Sequence, residues 1–277
     1  MRVLIVGAAG QLGSEVAPLL RHAEVLAADS KVLDVVDRDR VEQVVGEFAP
    51  DLVVNCSAFT DVDGAESRYD DALAVNALGV RHLAVAASRA GAHLVHVSTD
   101  YVFDGTKGAP YVEWDDPGPL SVYARSKLAG EHEAGPDATV VRTAWVYSRY
   151  GGNFVQAVLD RAAAGGPLRF IDDQLGTPTS AHELAAVLRH LAVDRAPGLF
   201  HATNGGATTR LDQARLVLAA AGIDAGQVEP MSSAELPWVA QRPASTVLDN
   251  AALRLSGVPA LRHYAEALEA LVKELTR

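Results

Sequence analysis

The chain has 277 residues, 49% of them hydrophobic and 21% charged, a composition that suits a soluble globular enzyme and excludes disorder, coiled coil and collagen. A formal net charge of −11 leaves no general field for nucleic acid or an acidic membrane surface, and no stretch approaches the roughly 18 to 20 apolar residues of a membrane span. The single Cys56 cannot form an internal disulfide or a multi-cysteine zinc site, so the expectation is a cytoplasmic protein in a reducing compartment, without nucleic-acid or membrane partners.

Short apolar runs at 3–6, 25–28, 52–54, 94–97 and 140–141 read as buried parallel strands. Helical spacing lies between them, as in Val41, Val44, Val45 and Phe48, or Leu73, Asn76, Ala77, Val80, Leu83 and Ala84. Strands alternating with helices predict right-handed βαβ units and hence an α/β, Rossmann-like doubly wound parallel sheet. Pro18 falls inside the first predicted helix and should bend or shorten it. After Tyr147 glycine pairs and Gly-Pro steps punctuate shorter elements, so residues 1–147 are expected to form a nucleotide-binding unit. Residues 148–277 mainly form a smaller α/β substrate unit, with about 180–204 returning to the first. Residues 264–275 read as a closing amphipathic helix.

Gly7-Ala8-Ala9-Gly10-Gln11-Leu12-Gly13 follows the first strand and opens the first helix. Glycine suits a tight turn there, close approach of the backbone to a pyrophosphate, and close helix packing, with the phosphates at the helix N-terminus. The spacing G-x-x-G-x-x-G differs from the commoner dinucleotide pattern G-x-G-x-x-G. Asp29 ends the second strand, placed for ribose hydroxyls, and Ser30 and Lys31 follow it. The acid favours NADH and the cation NADPH, so both cofactors are expected with a mild NADPH preference.

Tyr123-Ala124-Arg125-Ser126-Lys127 places a phenol and an ammonium four residues apart, on one face of a predicted helix. An adjacent ammonium stabilises a phenolate and lowers its pKa, as acid/base catalysis requires. Lysine occurs only four times in the chain, which makes Lys127 conspicuous. Upstream, Ser98-Thr99-Asp100-Tyr101 stands at the carboxyl end of a predicted strand, the edge where open α/β sheets bind ligands. A hydroxyl there can hydrogen-bond a substrate carbonyl oxygen while the tyrosine delivers a proton.

With these motifs the chain resembles the dTDP-4-dehydrorhamnose reductase family of extended short-chain dehydrogenases/reductases. The resemblance is carried further by Ser98-Thr99-Asp100-Tyr101-Val102-Phe103-Asp104-Gly105, Arg142-Thr143-Ala144-Trp145, Gly152-Asn153-Phe154, Asp173-Gln174-Leu175-Gly176-Thr177-Pro178-Thr179 and Arg242-Pro243. It implies reduction of the C4 keto group of dTDP-4-dehydro-β-L-rhamnose by NAD(P)H, with Tyr123 as proton donor, Lys127 holding the nicotinamide ribose and Thr99 orienting the carbonyl. By the same resemblance Gly10, Gln11 and Leu12 hold the pyrophosphate, and Asp34 and Val35 the adenine. Ala58, Phe59 and Thr60 line the nicotinamide side. Thr99, Asp100 and Trp145 meet the sugar nucleotide, with Asn153, Phe154 and Arg242 near it. Some members form dimers around Mg2+ bound by a glutamate just after the glycine loop; Glu15 matches that position, no partner carboxylates are evident, and a monomer and a homodimer both stay open.

Asp61 departs from the family pattern, where alanine is usual, and adds an acid near the expected pocket. Two alternatives stand beside the main reading. One is another NDP-4-ketohexose reductase of deoxysugar or secondary-metabolite biosynthesis. The other is a non-catalytic NADP-binding regulatory subunit, against which the intact Thr99, Tyr123 and Lys127 argue. His93, His96 and His201 lie in or beside separate predicted strands and show no metal-ligand pattern.

Overall fold

The computed structural model describes residues 1–276. Its centre is a six-stranded, wholly parallel sheet of β1 (Arg2–Val6), β2 (Glu24–Ala28), β3 (Leu52–Asn55), β4 (His93–Thr99), β5 (Thr139–Thr143) and a last strand, Gly198–His201. From one edge to the other the order is Gly198–His201, β5, β4, β3, β1, β2. The direction of winding reverses between β1 and β3, and the crevice at their carboxyl ends is where a doubly wound sheet takes a ligand.

Successive residues of β1 point to opposite faces, and each face is covered by helices. Val3 and Ile5 pack with Leu12 and Val16 of α1 (Gln11–Leu19) and with Leu184 and Leu188 of a later helix. Leu4 and Val6 pack with Val41 and Val45 of α2 (Arg38–Phe48) and with Val80 and Leu83. Pro18 stands one residue before the end of α1, so the helix is shortened where the sequence predicts. Between β3 and β4 run α3 (Val62–Ser67), α4 (Tyr69–Leu73), one π-helical turn at Ala74–Leu78, and α5 (Gly79–Ala90). The π turn is absent from the sequence reading, and it is a local irregularity of the kind often found at functional sites.

Helix α6 (Val122–Ala134) leads into β5, whose end is followed by β6 (Val146–Tyr147) and α7 (Phe154–Ala163). Then come β7 (Leu168–Ile171), β8 (Leu175–Gly176), β9 (Thr179–Ser180), α8 (Ala181–Val193), β10 (Gly198–His201), β11 (Thr208–Thr209) and α9 (Arg210–Ala220). The chain closes with β12 (Val228–Met231), α10 (Ala251–Leu255) and α11 (Tyr264–Leu275). A separate core of Val155, Val158, Leu168, Phe170, Leu211, Val217 and Leu268 gathers α7, α9, α11 and the parallel pair β7 and β12 above the carboxyl edge of the main sheet. Among the described residues no helix is long and apolar enough to cross a membrane.

Candidate active site

The glycine loop forms a cradle that side chains would fill. Gly7 has φ +75, and a Cβ on it would fall 2.7 Å from the Ser57 amide nitrogen; on Gly13 it would fall 2.7 Å from the Ala8 Cα. Gly10 is the N-cap of α1 without a side-chain hydrogen bond, so the first amides of that helix stay open to an anion. Leu12 is buried beneath the loop, and the Gln11 amide donates to the Gly152 carbonyl at 3.2 Å.

Beside this cradle lies a cavity of about 410 Å³ walled by Gly10, Asp29, Ser30, Asp34, Val35, Ala58 and Phe59. It brings together residues expected at the adenosine end with two expected near the nicotinamide. One Asp29 oxygen accepts the Lys31 and Val32 amides, both at 3.0 Å, which fixes the loop after β2. Lys31 itself is exposed and not part of the cavity wall.

A second cavity, of about 490 Å³, shares Gly10 and Ala58 with the first and reaches Thr60, Thr99, Asp100, Tyr123, Lys127 and Trp145. Ser121 caps α6 through the Ala124 amide at 3.2 Å, and Glu66 accepts the Val122 amide at 2.8 Å, so the first turn carrying Tyr123 is fixed from both sides. Lys127, one turn on, is buried, and its ammonium donates to the Val97 carbonyl at 2.7 Å. Two of its three donors remain for a ribose hydroxyl and a phenol.

Burial pulls Lys127 down to about 8, opposed by the Glu131 carboxylate. Burial pushes the Tyr123 phenol up, a Thr99 hydrogen bond opposes this, and Asp100 and Tyr101 raise it further. Where the sequence leads one to expect a lowered phenol pKa beside Lys127, the net shift is upward. The cause is desolvation, while the ammonium is spent partly on a backbone carbonyl. A raised pKa keeps the phenol protonated at neutral pH, as a proton donor must be.

Asp100 is buried and pushed up to about 6 by burial, against hydrogen bonds from Thr246 and Thr99. Thr99 donates to one carboxylate oxygen at 3.0 Å and Thr246 to the other. Tyr101 stands edge-on to Tyr123, ring centroids 6.1 Å apart. Thr246 escapes the sequence reading because its link to Asp100 spans 146 residues. Asn76, in the π turn, is another such residue. Its side chain accepts the Phe59 amide at 2.8 Å and donates to the Phe59 carbonyl at 3.0 Å and to Ser126 of α6 at 2.9 Å. The only signal available was an amide inside an apolar helical pattern.

Farther out, a third cavity of about 370 Å³ is walled by Tyr101, Phe154, Phe170, Trp238 and four arginines, Arg161, Arg169, Arg210 and Arg242. Aromatic faces with clustered guanidinium groups suit a base and a diphosphate. Arg242 is committed to Asp63 through two hydrogen bonds of 2.7 and 3.1 Å and lies 3.9 Å over the Trp238 ring. That pairing holds Asp63 down to about 2. Arg210 is the reverse case: its guanidinium lies 3.6 Å over the Trp145 ring and forms no close ion pair among the described residues, and burial pulls it down to about 10 against the more distant Asp100 carboxylate. Neither Arg161 nor Arg210 was foreseen, because nothing in their own segments distinguishes them from surface charges.

Asn153 is placed otherwise than expected. Its side chain caps α7 by accepting the Val155 and Gln156 amides and donates to the Ser148 carbonyl at 2.7 Å, outside the three cavities. Asp61 caps α3 and pairs with Arg68 at 3.1 Å, so the acid that departs from the family pattern is outside the pocket walls. Glu15 is buried, with Arg149 and Ser148 on one oxygen and His182 on the other. Among the described residues no three His, Cys, Asp or Glu side chains converge on a metal position. A guanidinium beside the sole candidate carboxylate disfavours Mg2+ there.

The RmlD substrate binding domain model matches residues 1–277. The dTDP-4-dehydrorhamnose reductase of Mycobacterium tuberculosis H37Rv is 46% identical over 278 residues, covering 96% of this chain and 91% of that one. The crystal structure of a dTDP-4-dehydrorhamnose reductase from Clostridium acetobutylicum superposes with a TM-score of 0.97 at 38% identity, over 100% of both chains. That of the Bacillus anthracis dTDP-4-dehydrorhamnose reductase, in complex with NADP, does so with 0.94 at 34% identity over 99% of both. A cradle, a Thr-Tyr-Lys group with Thr99 and Lys127 buried and a match along the whole chain agree: the chain belongs to the RmlD family of dTDP-4-dehydrorhamnose reductases.

Proposed function

We propose that this protein is an NAD(P)H-dependent reductase that converts the C4 keto group of dTDP-4-dehydro-β-L-rhamnose into the alcohol of dTDP-β-L-rhamnose. The observation that carries the reading is the shared wall between cradle and catalytic cavity, which puts Gly10 and Ala58 in one continuous crevice with Thr99, Tyr123 and Lys127. The residues present fit a dinucleotide, since the uncapped start of α1 and the glycine loop leave room for its phosphates. Bound there, the dinucleotide supplies the hydride.

The chain's own groups do the rest. Tyr123 orients the carbonyl oxygen by its hydrogen bond and gives its proton to that oxygen as negative charge develops on it, and Thr99 serves the same oxygen once its hydroxyl turns away from Asp100. Lys127 holds a ribose hydroxyl and stabilises the phenolate that remains. Arg210 and Arg161 face the diphosphate, Phe154 and Trp238 the base, and Trp145 the hexose. In this reading the sheet and its helices form the cofactor unit of residues 1–147. Residues 148–277 are mainly the sugar-nucleotide unit, and about 180–204 return to the sheet through α8 and β10. The enzyme is cytoplasmic.

NADPH consumption with dTDP-4-dehydrorhamnose, followed by NMR of the product, tests the reading. Formation of dTDP-β-L-rhamnose is expected. Cofactor binding without turnover of any dTDP-ketosugar would favour a non-catalytic NADP-binding subunit, and preferred turnover of a different 4-ketosugar would favour a deoxysugar-tailoring reductase.

Both cofactors should serve, with a mild preference for NADPH. Asp29 and Ser30 wall the adenosine cavity, while Lys31, the next residue in sequence, is exposed outside it. The ratio of kcat/KM for NADPH and NADH measures this; a preference for NADH beyond about a hundredfold, or ~2.7 kcal/mol, contradicts it.

A further inference from the structure

Trp145 is held in an unusual way. Its backbone has φ +45, a left-handed conformation that bulky residues rarely adopt, just where the chain leaves β5 for β6. One side of its indole rests against Gly176 in β8, at a place where a Cβ would fall 2.6 Å from Cζ2 and closer still to Cε2. The Arg210 guanidinium stacks 3.6 Å from the ring centroid and donates to the Gln213 side chain at 3.0 Å, with the Asp100 carboxylate acting on it only at longer range. The indole forms part of the wall of the cavity that holds Thr99, Tyr123 and Lys127, whereas Arg210 belongs to the wall of the cavity that holds Phe154 and Trp238. The stack is thus the partition between the two.

We propose that Gly176 and Arg210 are positioning residues for the reduction: they fix the Trp145 indole, and through it the pose of the hexose against Tyr123. Strain in the Trp145 backbone persists only because its surroundings over-determine it: the Thr179 amide donates to the Trp145 carbonyl at 3.2 Å, and Gly176 and Arg210 hold the indole. Gly176 is needed because any side chain would occupy the place of the benzo ring. Arg210 is needed as a flat cation that can stack on the indole while its edge faces the nucleotide cavity, a geometry lysine does not offer. The inference deepens the proposed function and rests on it for the identity of the hexose.

The test is a double-mutant cycle in kcat/KM for dTDP-4-dehydrorhamnose, using Gly176→Ala, Trp145→Phe and the pair. One of the atoms that a methyl on residue 176 would meet, Cζ2, lies in the benzo ring of the indole, which a phenyl ring at position 145 does not fill. Gly176→Ala is therefore expected to lower kcat/KM ten- to a hundredfold in the native background and less than threefold beside Trp145→Phe. The dissociation constant for NADPH should stay within threefold throughout. An unchanged kcat/KM, or equal losses in both backgrounds, overturns the proposal.

The indole N–H resonance of Trp145, assigned by its loss in Trp145→Phe, gives a readout independent of turnover. It should shift in Gly176→Ala and in Arg210→Met, the second of which adds no bulk and keeps the test alive if the first fails to fold. A resonance that stays in place in the folded variants also overturns the proposal. Absence of turnover by the native protein defeats the assigned reaction alone and leaves this readout standing.

Discussion

Tyr123→Phe is expected to lower kcat by about a thousandfold while NADPH binding stays within twofold of native, a loss inside the roughly hundred- to ten-thousandfold span of general acid catalysis. Of Thr99 and Tyr123, the phenol is the one whose hydrogen is not committed to a carboxylate. Thr99 directs its own hydrogen to Asp100 at 3.0 Å, and Asp100 in turn takes a hydrogen bond from Thr246. Burial pushes the phenol's pKa up, so Tyr123 is fully protonated across the neutral range and ready to donate. Removing one oxygen leaves α6 packed as before, because the helix is held by Ser121, Glu66 and Asn76 and not through the phenol. Steady-state kinetics and NADPH fluorescence titration measure the two quantities separately. Near-normal turnover would end the assignment of Tyr123 as proton donor.

Lys127→Met should cost kcat/KM about a hundredfold or more, and its pH dependence identifies the cause. In the native enzyme the active form carries the ammonium, which burial destabilises until its pKa is about 8. Activity therefore falls as pH rises through about 8. On the acid side it falls as pH drops through about 6, where Asp100 gains a proton and can no longer accept from both Thr99 and Thr246. Lys127→Met removes the alkaline limb and leaves the acid one.

Stability moves the other way. A lysine whose pKa is lower folded than unfolded binds fewer protons in the folded state, so its contribution to stability rises with pH between about 8 and its unfolded value near 10.4, and at pH 7 the buried cation is a cost. The Tm of Lys127→Met at pH 7 should accordingly hold or rise while activity collapses. A fall in Tm parallel to the loss of activity would instead mark Lys127 as structural.

What could be read from the sequence was what is encoded locally. The apolar runs at 3–6, 25–28, 52–54, 94–97 and 140–141 are all strands of the main sheet, and residues 198–201 join it at the edge beside β5. A glycine with φ +75 and a phenol one helical turn from an ammonium are also local facts, and both stand at the crevice. Pairings across long separations were not legible. Arg242 reads as a free cation until Asp63, 179 residues away, is brought to it. Asn153 has the chemistry of a ligand but sits where a helix needs its first amides capped. The direction of the Tyr123 shift depends on how completely the pocket excludes water, which spacing along a helix does not encode.

The Asp63–Arg242 pair also sets an order in time. As the chain leaves the ribosome, the first 143 residues suffice to complete five of the six sheet strands, with the glycine loop and Tyr123 among them. The arginine-rich cavity cannot close until Trp238 and Arg242 have been made, and neither can Asp100 receive Thr246. A nascent chain can thus form its dinucleotide crevice early, while the chamber for its second ligand is sealed only by the last fifth of synthesis, the step most exposed to truncation or to a stalled ribosome.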